Sequence, residues 1–354
     1  MIKRAVLYPA KWLGLFRLAR RITRRKLRIL GYHGFASADE AEFRPGLFIR
    51  PETFRRRLAH LARSGAPVLP LGEALQMLGE DRLPDRAVVI TVDDGFYGFY
   101  RNALEMLRGH GFPATVYVTS YYCRHPGPVF RLAVQYMFWK AGRPVELDGL
   151  GVEGLPSGRL RRRDEIHRAM WTLIRHGEAG CDEPGRRQLA EALGQCLEVD
   201  YDQLRRRRLL DLMTPGELRD LGAAGIDVQL HTHRHQLPED QAGAEREIAE
   251  NRSFLVGLLG RPAEHFCYPG GVWSPDWWPW LEAAGVASAV TCDPGLCEAS
   301  TPRLALRRFL DGENISQIEF EAEVAGFLEL LRAARSWMIK PAGRGQPRHA
   351  PGTI

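Results

Sequence analysis

Short apolar runs alternate with amphipathic segments along most of the chain. The β-branched apolar runs predict strands, and the segments with a 3.6-residue period between them predict helices. Strands that alternate with helices through short links indicate a parallel sheet, open or closed into a barrel. The predicted strands are Leu27–Tyr32, Pro67–Leu71, Ala87–Val92, Ala114–Thr119, Asp227–Thr232, His265–Tyr268 and Ala287–Cys292.

This alternation stops between about residues 121 and 212, where helical patterns occur without a convincing pair of strands. The interval predicts a helical insertion between two barrel strands. It contains the arginine runs Arg161–Arg163 and Arg205–Arg208. Such runs are typical of a solvated face, and they are also suited to an anionic substrate such as a phosphate-linked glycan. The helices predicted here are Phe130–Lys140, Arg162–Arg175 and Arg186–Leu197.

Near the N-terminus, Lys11–Arg25 fits one amphipathic helix with an apolar side and an arginine side. Two interpretations stay open. The apolar side packs on the rest of the protein, or it lies on anionic lipid with tryptophan and phenylalanine inserted. The net charge of +6 belongs to this arm, because residues 1–28 hold ten Lys or Arg and no Asp or Glu, which leaves −4 for the remainder. No recognised nucleic-acid motif is present, so we expect no nucleic-acid partner.

The domain organisation follows from these patterns. We expect a basic amphipathic helix over 1–26, a barrel over 27–335 interrupted by the insertion, and a flexible tail over 336–354. The six cysteines are scattered without a C-x-x-C pair, and no apolar run approaches the length of a membrane span. The arm lacks the h-region of a secretory signal. These features favour a cytoplasmic protein, with the inner face of the membrane as the site of any peripheral contact.

Two clusters of polar residues follow predicted strands. Asp93 and Asp94 come directly after one strand, and His231 and His235 flank His233 at the end of another. Active sites of α/β proteins lie at the carboxyl ends of parallel strands. Adjacent carboxylates point in different directions, so one can bind a metal while the other faces the substrate. One carboxylate with two imidazoles leaves positions open for water, which is typical of a catalytic metal site.

The two clusters resemble motifs of the polysaccharide deacetylase family, also called the NodB homology domain or carbohydrate esterase family 4. Thr91-Val92-Asp93-Asp94-Gly95 resembles T-F-D-D-G, and His231-Thr232-His233-Arg234-His235 matches H-[ST]-x-x-H. Phe266-Cys267-Tyr268-Pro269-Gly270-Gly271 is similar to a third motif, F-x-Y-P-x-G, and Tyr32-His33 resembles a Y-H pair after the first strand. The resemblance spans roughly residues 27 to 308.

The resemblance implies a distorted (β/α) barrel of the polysaccharide-deacetylase type, here with a helical insertion. It assigns Asp94, His231 and His235 as ligands of a divalent metal, for which we expect zinc, and Asp93 as general base. The backbone around Tyr268 would help to stabilise the oxyanion. The third motif lacks the arginine that orients the base in many members, and the C-terminal strands show no clear L-x-H for a general acid.

The expected activity is removal of an N-acetyl or O-acetyl group from a sugar of a cell-envelope polysaccharide or its lipid-linked precursor. Two alternatives stay open. One is deacetylation or deformylation of a small nucleotide-linked sugar, and the other is a catalytically silent barrel that binds glycan. His33 could lie near the barrel mouth, although a structural hydrogen-bonding role is commoner for such a residue.

Overall fold

The computed structural model of the chain describes residues 2–142 and 144–338. A curled sheet of seven parallel strands forms its centre, with helices packed outside. This is the expected barrel of the deacetylase type. The sheet order is β10-β9-β8-β5-β4-β1-β11, and its strands are β1 (Arg28–Tyr32), β4 (Val88–Val92), β5 (Thr115–Val118), β8 (Asp227–Leu230), β9 (His265–Cys267), β10 (Ser288–Val290) and β11 (Phe309–Leu310).

The segment leading into β11 brings the two edges of the sheet together. Leu306 forms a parallel bridge to Val290 of β10, and three residues later Phe309 pairs with Leu30 of β1. This segment was not among the predicted strands, because two arginines interrupt its apolar run. The predicted strand Pro67–Leu71 is wrong: Val68 makes only an isolated bridge to Val88, and Leu71 already begins a helix.

Side chains alternate between the barrel interior and the surrounding helices, as the period of two in a strand requires. On β4, Val89 belongs to the interior cluster, whereas Val88 and Ile90 belong to the larger core under the helices. The same alternation turns Thr91 and Asp93 inward. Asp93 therefore ends the strand inside the mouth of the barrel, where it is 2% exposed.

Helices surround the barrel, and five of them lie between residues 120 and 207, where the sequence predicted an insertion. The predicted absence of strands there is wrong, since β6 (Val145–Glu146) and β7 (Arg159–Leu160) form a short antiparallel pair. The insertion helices are α8 (Ser120–Arg124), α9 (Phe130–Ala141), α10 (Arg163–Gly180), α11 (Glu183–Cys196) and α12 (Tyr201–Arg207).

The remaining elements follow the predicted alternation closely. Predicted helix Tyr97–His110 divides at Ala103. A further two-stranded sheet, β2 (Gly34–Phe35) with β3 (Phe48–Ile49), borders the mouth. The other helices are α3 (Glu40–Phe43), α4 (Pro51–Ser64), α5 (Leu71–Gly79), α6 (Tyr97–Asn102), α7 (Leu104–His110), α13 (Pro215–Ala223), α14 (Gln241–Leu259), α15 (Trp278–Ala283), α16 (Gln317–Val324) and α17 (Phe327–Met338), with 3₁₀ turns at Pro269–Gly271 and Pro275–Trp277.

The N-terminal arm forms two helices, α1 (Ile2–Trp12) and α2 (Leu15–Ile22), rather than the single predicted one. The break lies at Gly14, whose φ of 78° is left-handed and open to glycine without steric cost. One face of the pair packs on α16 and α17, with Phe16 against Phe327 at a centroid distance of 5.2 Å.

No helix among the described residues has the length and apolar character needed to span a bilayer. The division into arm, barrel and tail stays a prediction. Of the predicted tail, residues 339–354 lie outside the part of the chain that the structure describes.

Candidate metal centre

The paired carboxylates are held by the backbone turn that ends β4. Asp93 keeps the sheet pattern, since its N–H donates to the Tyr32 carbonyl at 2.8 Å. Asp94 then adopts a left-handed φ of 69°, and the N–H of Gly95 donates back to the Asp93 carbonyl at 2.8 Å. A left-handed aspartate is uncommon and marks a constrained turn. The turn separates the two carboxylates in direction, as the motif predicted.

The histidine motif occupies a similar turn after β8. Thr232 and His235 both have left-handed φ values, 63° and 58°. The Thr232 hydroxyl accepts the Gln236 N–H at 3.1 Å, and the buried Asn251 side chain accepts the His231 N–H at 2.9 Å. These hydrogen bonds fold the chain back after the strand, so His231 and His235 approach each other with ring centroids 4.8 Å apart.

Asp94, His231 and His235 converge in the barrel mouth. One potential ligand atom from each lies within 4.8 Å of the others. His231 Nε2 is 3.1 Å and His235 Nε2 is 3.3 Å from Asp94 Oδ1. Among the described residues, Asp94 Oδ2 and His235 Nε2 are buried polar atoms without a well-aligned hydrogen-bond partner. Unsatisfied buried donors and acceptors are costly, and a divalent cation among these atoms would satisfy them. The residues therefore fit a metal.

The electrostatics of the cluster suit metal binding. Burial alone would raise the pKa of Asp94, but the imidazoles of His231 and His235 outweigh it and hold that pKa far below its usual value. Burial lowers the pKa of His235, so its ring is neutral and offers a nitrogen lone pair. His231 Nδ1 lies 2.8 Å from the Cys267 carbonyl, the outer contact that orients a ligand histidine.

His233, between the other two histidines, points away from the cluster. Its Nδ1 lies 2.9 Å from the Ser120 hydroxyl, and its Nε2 is 3.5 Å from a carboxylate oxygen of Glu250. Its ring meets Tyr121 edge to face. The hydrogen bond to Ser120 ties the loop after β8 to the start of the insertion, which is a structural role.

Asp93 has a partner that the sequence analysis missed. Both carboxylate oxygens accept hydrogen bonds from the Arg308 guanidinium at 2.7 Å, and Arg308 is fully buried. Burial would raise the pKa of Asp93, but the charge of Arg308 outweighs it and lowers that pKa. Arg308 thus holds the Asp93 carboxylate in one direction. The signal in the sequence was an arginine inside the apolar run 304–310, where a buried charge requires a partner.

Gly31 on β1 leaves space for the Leu310 side chain beside that guanidinium. A Cβ atom at Gly31 would lie 2.5 Å from the Leu310 side chain and 3.4 Å from Arg308 Nη1. Arg308 is further fixed by donating to the Thr91 hydroxyl at 3.0 Å and to the Thr291 carbonyl at 2.9 Å. The guanidinium is therefore held by the barrel wall and in turn orients Asp93.

His33 and Tyr268 have different relations to this centre. His33 is buried, and its Nε2 lies 3.5 Å from Asp93 Oδ2, so it belongs to the mouth. The Tyr268 ring faces the outer core, where its hydroxyl donates to the Leu304 carbonyl at 2.9 Å. The Tyr268 N–H donates to the Val290 carbonyl over a long 3.4 Å. The Tyr268 side chain therefore lies outside the metal cluster.

Comparison with known proteins agrees with this arrangement. The polysaccharide deacetylase family model matches residues 192–289, which include the histidine motif and the third motif. Over these residues the chain is similar to the polysaccharide deacetylase family. It is 32% identical over 94 residues to the Bacillus subtilis (strain 168) protein YxkH, which carries a polysaccharide deacetylase name. That match covers 26% of this chain and 32% of YxkH, so it spans about a third of the relative's length.

Solved structures show a likeness in fold over most of the chain. The Streptococcus pyogenes deacetylase PplD, in complex with acetate, aligns with a TM-score of 0.55 at 17% identity, over 87% of this chain and 98% of PplD. IcaB from Ammonifex degensii aligns with a TM-score of 0.53 at 17% identity, over 85% of this chain and 96% of IcaB. At these identities the likeness establishes the fold, and the roles of individual residues depend on the geometry above.

Proposed function

We propose that this chain is a metal-dependent hydrolase that removes the N-acetyl, or O-acetyl, group from a sugar of a cell-envelope polysaccharide or its lipid-linked precursor. The observation that carries the proposal is the convergence of Asp94, His231 and His235 beside a second carboxylate with its own arginine partner. We take zinc as the ion, because two imidazoles and one carboxylate with open positions are a common catalytic zinc set. When bound, the ion supplies activation of water and polarisation of the acyl carbonyl.

Asp93 acts as the general base in this proposal. Its pairing with Arg308 keeps it ionised at neutral pH, so it can accept the proton of the attacking water. The bidentate contact also fixes the direction of the carboxylate, which binding alone would not require. Arg308 is a positioning residue, since it acts through Asp93.

His33 supplies the general acid that the sequence did not reveal. Breaking the C–N bond requires a proton on the departing nitrogen, and histidine is suited to donate one near neutral pH. His33 lies 3.5 Å from Asp93, directly after β1, the strand next to β4. Donors for the oxygen of the tetrahedral intermediate come from the backbone around Tyr268, directly after β9.

Acetate release tests the proposal. The full chain is incubated with a panel of substrates, including chito-oligosaccharides and nucleotide-linked N-acetylamino sugars, with and without a chelator. We expect release from at least one sugar, abolished by the chelator and restored by zinc. Release only from the nucleotide-linked sugars would favour the small-substrate alternative. Binding of glycans without release under any condition would show a silent barrel and end the proposal.

We also propose that helices α1 and α2 make peripheral contact with an anionic membrane, at its inner face in a cytoplasmic protein. One face of the pair is packed on α16 and α17, and the opposite face remains exposed. Trp12 is 94% and Leu13 76% exposed, with Leu18 and Ile22 also more than half exposed. Exposed arginines border these side chains, and each basic group near an anionic surface contributes about 1 kcal/mol. The six free cysteines are compatible with a reducing compartment.

Vesicle co-sedimentation tests the membrane contact. Wild type should bind vesicles containing anionic lipid, more weakly as salt rises, whereas Trp12→Ser/Leu13→Ser should bind several-fold less. Since both side chains are exposed, the variant should melt at the wild-type temperature. Equal binding of the two proteins, or no binding by wild type, would contradict the proposal.

A further inference from the structure

A cleft of about 830 Å³ opens beside the metal centre, and its walls come mainly from the helical insertion. It reaches the centre through His235 and Gln236 on the loop after β8. A cavity of this size accommodates a small ligand or part of a larger one, such as a sugar with a charged substituent. A substrate whose acetyl group lies at the metal centre can therefore extend into the cleft without moving the barrel.

The cleft is strongly enriched in arginine. Its lining has three acidic side chains, Glu178, Glu183 and Glu191, and neither lysine nor aspartate among the described residues. The excess is therefore three positive charges, on a protein whose remainder beyond residue 28 carries a net negative charge. The arginines of the lining are Arg124, Arg131, Arg186, Arg187, Arg205 and Arg234.

Three of these arginines are committed to the architecture. Arg131 makes a bidentate pair with Glu178 at 2.8 and 2.6 Å. Arg186 bonds Glu183 and two backbone carbonyls at the end of α10. Arg234 reaches outward to the carboxylates of α14. These contacts hold the walls of the cleft and leave little capacity for a ligand.

Against the other three arginines the lining has one carboxylate, Glu191, so they contribute two of the three excess positive charges. Arg187 and Arg205 approach the same carboxylate, Glu191, at 2.8 and 3.7 Å. Arg205 also approaches the exposed Asp202 at 3.3 Å. Arg124 lies over the Phe254 ring at 4.8 Å, and among the described residues no carboxylate is within ion-pair distance of it. A guanidinium has five N–H donors, so these few contacts leave donors on all three arginines for an anion.

We propose that this cleft binds a phosphoryl group of the substrate through Arg124, Arg187 and Arg205, so that the enzyme acts on a phosphate- or diphosphate-linked N-acetylated sugar. Guanidinium groups match phosphate oxygens in bidentate geometry, and hydrogen bonds between ions are the strong ones. Tyr122 and Tyr201 add aromatic surface to the same lining, suited to the apolar face of a sugar ring. This inference rests on the proposed function and narrows its substrate class.

Binding of inorganic pyrophosphate to the full chain tests the proposal, measured by calorimetry before and after the metal is removed with a chelator. The second condition separates the cleft from the metal. Arg124→Gln, Arg187→Gln and Arg205→Gln should each weaken binding about tenfold, as expected for loss of a charged hydrogen bond. The matched control is Arg206→Gln, because Arg206 neighbours Arg205 but is exposed, pairs with Asp200 at 3.5 Å and lies outside the cleft. It should bind pyrophosphate as wild type does.

Kinetics extend the test to substrates. The preference in kcat/KM for N-acetylglucosamine 1-phosphate over neutral triacetylchitotriose should fall about tenfold in each cleft variant, through KM. Comparing nucleotide-linked with polyprenyl diphosphate-linked sugars then identifies the source of the phosphate. Pyrophosphate that binds equally well to all four variants, or to none including wild type, overturns the proposal. Chelator-sensitive release from chitotriose together with that result leaves the proposed function intact. If the cleft variants lose pyrophosphate binding but no sugar is deacetylated, the proposed function is overturned and the phosphoryl site in the cleft is not.

Discussion

The protein buries carboxylates in two places, and burial has opposite outcomes for their pKa values there. At the barrel mouth, Asp93 is paired with a guanidinium and Asp94 with two imidazoles, and the pKa of each aspartate is below its usual value. Where the insertion returns to the barrel, Asp211 is also buried, but its Oδ1 has no hydrogen-bond partner among the described residues and Arg208 is 3.6 Å from Oδ2. Burial, only partly offset by Arg208, raises the pKa of Asp211 to about 7.

The comparison shows that burial of an acid does not by itself identify a catalytic group. What distinguishes the mouth is that its carboxylates are kept ionised by partners arranged on several strands. Asp211 has a backbone role, since its carbonyl accepts the Tyr97 N–H at 2.9 Å. The two sites should therefore respond differently to the same aspartate-to-asparagine change.

The largest effect on turnover is expected for Asp93→Asn. Loss of a general base reduces the rate by about 10²–10⁴. Metal content should remain that of wild type, because Asp93 is not one of the proposed ligands. Acetate release and elemental analysis on the same preparation check this, with thermal melting as control for folding. A variant with near-normal turnover would remove Asp93 from the role of base.

A smaller effect on turnover is expected for Arg308→Met. The change leaves Asp93 buried without its counter-charge, which typically destabilises a protein by about 3–5 kcal/mol. It also removes the charge that lowers the pKa of Asp93, so the acid limb of the pH–rate profile should move to higher pH. Arg308→Lys should restore part of the lost stability and part of the shift in the acid limb. An acid limb unchanged in Arg308→Met would mean that Arg308 serves stability alone.

The smallest effect on turnover is expected for Asp211→Asn, at less than about twofold. Its effect is on stability. Between pH 4 and 7 the unfolded aspartate is ionised while the folded one stays protonated, so the free energy of unfolding of wild type falls as pH rises through this window. The asparagine variant lacks this contribution. The free energy of unfolding of the variant minus that of wild type should therefore be about 1–4 kcal/mol larger at pH 8 than at pH 4. Denaturant unfolding at both values measures the difference, and a constant difference would contradict the raised pKa.

Much of the fold was predictable from the sequence, because long periodic segments report their own structure. The insertion helix Phe130–Ala141 begins at its predicted residue and ends one residue beyond it. The strand predictions that were wrong depended on contacts between distant parts of the chain. Phe309–Leu310 forms a strand because it pairs with β1. Val68 does not extend into a strand, because it makes a single bridge to Val88.

The parts of the site formed by residues close in sequence were predictable, and the contacts between residues distant in sequence were not. His231 and His235 converge through a turn within five residues, so their spacing carries the information. Arg308 reaches Asp93 across 215 positions of sequence, and His33 approaches it from the position directly after β1. No periodicity encodes such contacts. The arm was ambiguous for a related reason: its apolar residues divide between a packed and an exposed face, which one helical wheel cannot separate.

The central claim is that Asp94, His231 and His235 hold a metal, and its most direct test is the metal content of two matched variants. His233→Ala and His235→Ala remove the same side chain from positions two residues apart. Elemental analysis after reconstitution with zinc should find the wild-type content in His233→Ala, since His233 contacts Ser120 and Glu250. His235→Ala should lose most of its metal. Retention of zinc by His235→Ala with its loss from His233→Ala would contradict the account.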